Sequence, residues 1–225
     1  MDKFKQSLKW FFSSVIWLAI LMYLIDVITK NVVVNNASNI LSAGGKHGGI
    51  DLIPGFLGIN YTINPNVAFG MSLSNPLANK IVFSIFALLV TGGLIAFMAI
   101  KWDKINRYYK ACFMLIISGA LGNVTDRLFY SAEYLNYSSG GKLITGVVDW
   151  IDFYGIWEFN FNIADSCVVV AAIMLIIYMI IEEIIDYKKR ASLIPEETQN
   201  EEKVISKTEQ EKNRLLEEGK EDENE

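Results

Sequence analysis

The chain has 225 residues, of which 52% are hydrophobic, and its mean hydropathy is +0.30. The apolar residues are concentrated before Asp186, whereas the segment after Arg190 is almost entirely polar and is the source of the net charge of −5. A soluble helical bundle is a poor explanation of this pattern, because runs such as Val168–Ile181 have no polar stripe that could face water.

Four apolar runs approach the length of about 20 residues that a helix needs to cross a bilayer. They are Trp10–Thr29, Ile81–Ile100, Ala111–Val124 and Ala164–Ile185. The third run is short unless it continues to Tyr130 with Asn123 and Asp126 facing the protein interior. We therefore predict four transmembrane helices.

The first run has an alternative interpretation as a cleaved signal peptide. It lacks a small-residue cleavage site after the apolar stretch, and Asp26 and Lys30 stand where such a site is expected. A retained first span is the better interpretation.

Basic residues predict how the spans are oriented. They cluster before the first span, between the second and third spans, and after the fourth span. The clusters are Lys3, Lys5 and Lys9, then Lys101, Lys104, Arg107 and Lys110, and finally Lys188, Lys189 and Arg190. By the positive-inside rule, both termini are cytoplasmic and the two long connections lie outside.

The two outer connections differ in character. Asn31–Gly49 is rich in Asn, Ser and Gly and has little to order it, and Ser131–Gly146 is predicted to be a surface excursion. Directly after Asn31–Gly49, in the same connection, Ile50–Gly70 alternates apolar and turn residues. This pattern predicts two or three short strands joined by the turn at Pro54 and Gly55.

The predicted fold class is an all-α membrane protein of four transmembrane helices with a small extracytoplasmic β-sheet. Residues 1–187 are predicted to form the membrane domain. Residues 188–225 are predicted to form a charged cytoplasmic tail, either disordered or a lone helix, because the segment is rich in charge and has no aromatic residues after Arg190.

Polar side chains gather at the outer ends of the predicted spans. Asp26 and Lys30 lie one helical turn apart, and the ordinary interpretation is an ion pair at the helix end. Asn123 and Asp126 are predicted to share one helix face. The set consists of Asp26, Lys30, Asn64, Asn123, Asp126, Arg127, Asn162 and Asp165. Helix caps and interhelical hydrogen bonds could explain single members, but a set drawn from separated segments exceeds what capping requires.

A pair of carboxylates is the one kind of catalytic site that the sequence favours after the other kinds are considered. The sequence shows no evident Ser-His, Cys-His or Ser-Lys arrangement, nucleotide-binding glycine motif or metal-ligand cluster. Cys112 and Cys167 are interpreted as packing residues, and the single His47 lies in a flexible glycine-rich loop. Asp149 and Asp165 stand where an outer loop returns to the fourth span, and carboxylates at a membrane edge are usually functional. If held close together, they would share one proton and activate a water molecule for peptide hydrolysis.

Five segments, taken in order, carry a resemblance to a known family. They are Asp26–Lys30, Asn64–Phe69, Gly119–Arg127, Val147–Asp152 and Phe161–Ser166. With four spans of the matching topology, the chain resembles the lipoprotein signal peptidases, also called signal peptidase II, from Val15 to Glu182.

That resemblance implies an aspartic endopeptidase of the bacterial inner membrane, with Asp149 and Asp165 as its catalytic pair. Such enzymes cut the signal peptide from diacylglyceryl-modified prolipoproteins, just before the lipid-bearing cysteine. Substrate-binding or supporting roles are expected for Asn64, Asn123, Asp126, Arg127, Asn162, Asp26 and Lys30. The expected partners are lipidated prolipoproteins and membrane lipids, with no metal, organic cofactor or nucleic acid. The chain is expected to be a monomer with its active site near the outer face.

The sequence departs from the family pattern outside the carboxylate pair. Asn66 stands where the family usually has Gly, and Trp150 stands where it usually has Phe. The segments Asn31–Gly49 and Phe129–Gly146 are longer than typical, and the charged tail beyond Arg190 is extra. These differences leave the substrate preference open.

Two hypotheses of other classes remain. A polytopic transporter could place carboxylates in an outward-facing pocket, but the polar residues cluster at one edge and the four spans show no internal repeat. A non-enzymatic assembly factor could use the tail to recruit partners, and deletion of Pro195–Glu225 would distinguish it from a peptidase.

Overall fold

The structure is a computed structural model that describes residues 2–45, 47–65, 76–134, 142–154 and 158–192. The predictions about Asn66, about the end of the Asn64–Phe69 segment and about the tail after Ser192 fall outside these ranges. The helices are α1 (Asp2–Ser14), α2 (Ile16–Asn35), α3 (Ala37–Leu41), α4 (Pro76–Lys101), α5 (Arg107–Phe129) and α6 (Ile163–Ser192). The strands are β1 (Ile50–Ile53), β2 (Leu57–Asn64), β3 (Ser131–Tyr134), β4 (Lys142–Thr145) and β5 (Val147–Phe153), and a short 3₁₀ turn, Trp102–Lys104, follows α4.

Among the residues that the structure describes, four helices are long and apolar enough to cross a membrane, which confirms the predicted fold class. Their spans are Ile16–Asn35, Lys80–Lys104, Arg107–Phe129 and Ile163–Arg190. The first span begins later than the apolar run suggested, because the chain turns at Val15 and the residues before it form the separate helix α1.

Helix α5 is the central span of the bundle. In the most apolar stretch of α5, half of the residues are buried. In the corresponding stretches of α2 and of α4, only 17% are buried, and the other residues face outward. One side of α5 packs through Met114 and Ile117 against Val15 and Met98. The other side packs through Cys112 against Cys167, as the packing interpretation of the two cysteines predicts.

The small sheet is antiparallel and has the strand order β1-β2-β5. A turn that contains Pro54 and Gly55 joins β1 to β2, in agreement with the predicted turn. In the β2–β5 ladder, Thr62 lies opposite Asp149 and Asn64 lies opposite Val147. Because alternate residues of a strand point to the same face, Asn64 and Asp149 are diagonal neighbours on one face of the sheet.

Two segments that were predicted to lack regular structure contain it. In Asn31–Gly49, α2 continues to Asn35 and is followed by α3, because Ile40 is buried and packs with Val33 and Val148. In Ser131–Gly146, β3 and β4 pair with each other from Ser131 opposite Thr145 to Tyr134 opposite Lys142. Neither segment shows a strong periodic pattern of its own, so long-range and cross-strand contacts decide its structure.

The chain divides into two compact units, Met1–Leu175 and Ile176–Glu225. The first unit contains the sheet, α1 to α5 and the beginning of α6. In its described part, the second unit is the remainder of α6, up to Ser192. The predicted boundary between residues 187 and 188 stays a prediction.

Candidate active site

Asp149 lies on β5 and is buried, with 2% of its surface exposed. Two asparagine side chains hold its carboxyl group. Nδ2 of Asn162 donates to Oδ1 at 2.7 Å, and Nδ2 of Asn64 donates to Oδ2 at 2.9 Å. The sheet register supplies the Asn64 contact, while the residue just before α6 supplies the other. Both oxygens of Asp149 are therefore fixed in position by amide donors.

Asp165 lies in the first turn of α6. Its Oδ1 accepts a hydrogen bond from Nδ2 of Asn123 on α5 at 2.7 Å. Its backbone N–H donates to Oδ1 of Asn162 at 2.8 Å, which is the usual bond by which a capping side chain satisfies the start of a helix. Asn162 thus caps α6 and contacts Asp149 at the same time.

The neighbouring hydrogen-bond donors determine how the side-chain amides of Asn123 and Asn162 are oriented. A lysine ammonium can only donate, so the atom of Asn123 that lies 3.1 Å from Lys30 Nζ is its oxygen. The Asn123 nitrogen therefore faces Asp165. By the same reasoning, the Asn162 oxygen faces a backbone N–H and its nitrogen faces Asp149. Asn162 Nδ2 also donates to Asn123 Oδ1 at 3.1 Å, so two linked amides connect the two aspartates.

Lys30 forms the centre of a buried charged cluster next to these amides. Its Nζ lies 2.7 Å from Asp26 Oδ2 and 2.9 Å from Asp126 Oδ2, and its side chain is 3% exposed. The predicted Asp26–Lys30 pair is therefore present, but it is buried and shared with Asp126, so it is more than an ion pair at a helix end. The sequence identified Asp26 as a partner of Lys30 but did not identify Asp126 as the second one.

Backbone N–H groups complete the same cluster. Asp26 Oδ1 accepts from the N–H of Ala164 at 2.8 Å, and Asp126 Oδ2 accepts from the N–H of Val148 at 3.0 Å. Ala164 and Val148 are the chain neighbours of the two candidate catalytic aspartates. The sequence gives no signal for these backbone donors, because any residue type supplies them.

Arg127 adds a second positive charge at the end of α5. It is half-buried, and one of its guanidinium nitrogens lies 3.5 Å from the backbone oxygen of Asn123. The carboxyl groups of Asp165, Asp149 and Asp126 all lie within electrostatic reach of the guanidinium. The structure therefore brings all nine predicted site residues into one region.

Burial, and after it the charge of the nearby Asp165, raise the pKa of Asp149 to about 7. Hydrogen bonds from Asn64 and Asn162 and the charge of Lys30 oppose this shift. Because two neighbouring carboxylates repel each other, the arrangement favours retention of one proton by the pair near neutral pH. Within the described ranges, no group of three His, Cys, Asp or Glu residues could hold a metal ion.

Two glycines of α5 allow the neighbouring helices to pack closely around the site. A Cβ at Gly122 would lie 2.5 Å from Asp26 Oδ2, and a Cβ at Gly119 would lie 2.4 Å from the backbone oxygen of Ala164. Either contact is shorter than real Cβ atoms tolerate. The absence of side chains at these positions therefore lets α2 and the start of α6 approach α5.

We expect Gly122→Ala to destabilise the protein by about 1–3 kcal/mol, the usual cost of forcing extra volume into a packed interior, because the new methyl group displaces the Asp26 carboxyl group. The measurement is the free energy of unfolding in mixed detergent micelles. Gly92→Ala on α4 is the matched control, since a Cβ there meets nothing within 4 Å. Equal effects of the two substitutions would show that the contact with Asp26 is unimportant.

A second polar cluster lies on the sheet and was missed by the sequence analysis. His47 Nδ1 is 2.8 Å from Asp152 Oδ2, so the histidine predicted to lie in a flexible loop has a specific partner. Tyr154 donates to Asp51 at 2.6 Å and packs edge-on against the His47 ring. More than 100 residues separate each polar pair, and no spacing rule predicts such contacts. These contacts join His47 to Asp152 and Tyr154 to Asp51.

Comparison with known proteins identifies the family of the chain. The Peptidase A8 family, described as signal peptidase (SPase) II, matches residues 18–181. A protein of Clostridioides difficile named lipoprotein signal peptidase is 33% identical over 168 residues, which cover 75% of this chain and 95% of that protein. A protein of the same name from Fusobacterium nucleatum is 31% identical over 163 residues, which cover 72% and 83%.

Two solved structures, each described as a bacterial membrane enzyme, share the fold. One has a TM-score of 0.56 and 26% identity, and the match covers 75% of this chain and 88% of that one. The other has a TM-score of 0.51 and 27% identity, with coverage of 73% and 91%. The family match over residues 18–181 contains most of α2, α3 to α5, the sheet and the part of α6 that bears Asp165. The chain belongs to the signal peptidase II family of membrane peptidases.

Proposed function

We propose that the chain is an aspartic endopeptidase that removes signal peptides from lipid-modified bacterial prolipoproteins. It cuts the peptide bond just before the lipidated cysteine, and Asp149 and Asp165 activate the attacking water. The observation that carries this proposal is the pair of linked amides, Asn162 and Asn123, which hold the carboxyl groups of Asp149 on β5 and of Asp165 at the start of α6. The family to which the chain belongs supports the substrate class.

The proposed reaction uses one proton that the two aspartates share. The ionised carboxylate takes a proton from water, and the resulting hydroxide attacks the scissile carbonyl carbon. The protonated carboxyl group donates a hydrogen bond to the developing oxyanion. A proton then passes to the leaving nitrogen as the C–N bond breaks, which releases the signal peptide with a new carboxylate.

The surrounding side chains would hold this arrangement without reacting themselves. Asn64, Asn123 and Asn162 keep the carboxyl groups oriented, and preorganised donors of this kind cost no reorganisation during the reaction. The positive charge of Arg127 lies within electrostatic reach of Asp149 and Asp165 and would stabilise negative charge that develops beside them. The ammonium of Lys30 offsets one of the two negative charges of Asp26 and Asp126, which reduces the negative charge beside the pair.

The proposed location is the bacterial inner membrane, with both termini in the cytoplasm and the site near the outer face. The distribution of basic residues supports this orientation. The chain would work as a monomer among membrane lipids, with residues 1–187 as the peptidase domain. The segment 188–225 would be a separate cytoplasmic tail that cleavage does not require.

Peptidase activity should fall as the pH rises above about 7. Above the raised pKa of Asp149, which is about 7, the pair loses its shared proton and with it the group that assists the oxyanion and the leaving nitrogen. The measurement is kcat/KM between pH 5 and pH 9, with a precursor that has no titratable group near the cut. A rate that keeps rising through pH 9 would contradict the shared proton.

The experiment that tests the proposed function compares two precursors. Purified protein in lipid nanodiscs is incubated with a diacylglyceryl-modified prolipoprotein and with the same precursor lacking the lipid. We expect cleavage of the lipidated form alone, and mass spectrometry should place the new N-terminus at the modified cysteine. Equal cleavage of both forms, or a cut elsewhere, would overturn the proposed specificity.

A further inference from the structure

Helix α1 does not continue into the first span. The chain turns at Val15, whose φ of 58° is a left-handed conformation that β-branched residues rarely adopt. Such a conformation persists only where the surroundings hold it. Val15 is 4% exposed and packs against Met98, Met114 and Ile117. The corner between α1 and α2 is therefore fixed by the packed end of the bundle.

Side chains at the corner also complete the end of α1. Ser14 Oγ donates to the backbone oxygen of Phe11 at 2.7 Å, and Trp17 Nε1 donates to that of Phe12 at 3.0 Å. The last carbonyl groups of a helix otherwise have no partners within the helix. Helix α1 is thus a separate helix with a finished end, joined to the bundle at a defined turn.

The surface of α1 carries both aromatic and basic residues. Trp10 and Phe12 are 57% and 54% exposed. In the sequence, Phe4, Leu8 and Phe11 recur at spacings of four and three, which places them on one helix face. The basic residues of the helix are Lys3, Lys5 and Lys9, and Asp2 is its one acidic residue.

We propose that α1 lies along the surface of the membrane that α2 crosses and binds anionic phospholipid headgroups through its lysines. A short helix with an apolar face, aromatic residues and several lysines is typical of helices that lie in the interfacial layer. Each lysine near an anionic lipid surface adds to the attraction. This role is independent of the peptidase reaction, because no residue of α1 belongs to the candidate active site.

The neighbouring elements place this end of the bundle at the level of an interface. Trp102 and Ile105, which lie in the connection between α4 and α5, pack against the same cluster as Val15. Lys110 Nζ lies 4.4 Å from the centre of the Trp102 ring. Tryptophan and lysine together are characteristic of the membrane–water boundary. Because α1 joins the bundle at this level, its exposed aromatic side chains are within reach of the lipid headgroup layer.

The test uses spin labels at Gln6→Cys and Leu8→Cys in the full chain, since two residues along a helix place these positions on nearly opposite faces. The native cysteines are buried, and the unsubstituted chain is the labelling control. In nanodiscs that contain phosphatidylglycerol, we expect a water-soluble nickel reagent to reach position 6 at least about fivefold more readily than position 8. Molecular oxygen should show the opposite preference.

The lipid requirement is tested in the same samples. Replacing phosphatidylglycerol with phosphatidylcholine should reduce the accessibility ratio by about twofold or more, and the variant K3Q/K5Q/K9Q should give the reduced ratio in both lipids. The matched control, K188Q/K189Q/R190Q, removes equal charge after the fourth span and should leave the ratio unchanged. A ratio near one in every lipid, or labels shielded from both reagents, would overturn membrane contact by α1. A ratio insensitive to lipid charge would overturn the headgroup contact.

Discussion

Replacing either Asp149 or Asp165 with Asn should reduce cleavage of a lipidated precursor by roughly 10⁴-fold or more, the scale of loss seen when a central catalytic group is removed. An amide has nearly the shape of a carboxyl group but can neither take a proton from water nor return one. Each substitution leaves the pair unable to hold one protonated and one ionised member at the same time. The rate is measured by single-turnover cleavage with enzyme in excess.

Asp152→Asn is the matched control for this prediction. Asp152 lies on the same strand, β5, and is 3% exposed, but its carboxyl group contacts His47. The control should retain activity within a few-fold of the native chain. If Asp149→Asn or Asp165→Asn retains substantial turnover, the two-aspartate mechanism is wrong. If Asp152→Asn is as damaging as either, the loss reflects buried-carboxylate substitution in general and not catalysis.

Replacing Lys30 with Met should destabilise the protein by about 3–5 kcal/mol, because removal of one partner from a buried ionic cluster leaves uncompensated charge. Lys30 contacts Asp26 and Asp126 within 3 Å, so its loss leaves two buried carboxylates in place of one ion cluster. Activity should fall as well, since Lys30 also fixes the amide of Asn123 that faces Asp165. Unfolding in mixed micelles gives the free energy.

Lys80→Met on α4 is the control for the removal of a lysine from an apolar helix, and it should change stability by less than about 1 kcal/mol. The double variant Asp26→Asn/Lys30→Met should recover part of the loss, because it removes one of the two unpaired charges. Equal stabilities of Lys30→Met and Lys80→Met would contradict the account of the cluster. If the double variant is no more stable than Lys30→Met, the unpaired charge of Asp26 is not the cause of the lost stability.

The fold was largely predictable because the bilayer imposes a length on each span. Runs of about 20 apolar residues identify the spans, and the turn at Pro54 and Gly55 identifies the β1–β2 hairpin. The corner at Val15 was not predictable, because its left-handed backbone depends on packing with Met98 and Met114 from distant segments. The helix α3 was missed for the same reason, since it depends on the burial of Ile40.

The residues of the candidate site were predictable from the sequence, but their hydrogen-bond and ion-pair partners were not. The sequence placed Asn123 and Asp126 on one helix face, and both contact Lys30. The further bond from Asn123 to Asp165 could not be predicted from helical spacing. The bond between Asp26 and the Ala164 N–H joins residues 138 positions apart. Helical spacing describes which residues share a face, but the partner of a buried amide or carboxyl group is decided by the packing of several helices.

The most direct test of the central claim is the source of the oxygen in the new carboxylate. A single turnover of the native chain is carried out with lipidated precursor in water enriched in oxygen-18, and the released signal peptide is analysed by mass spectrometry. The account predicts one heavy oxygen in its terminal carboxylate, because the water activated by Asp149 and Asp165 attacks the carbonyl carbon directly. A first-turnover product without heavy oxygen would show that an oxygen of the protein attacks first, which contradicts the proposed role of the two aspartates.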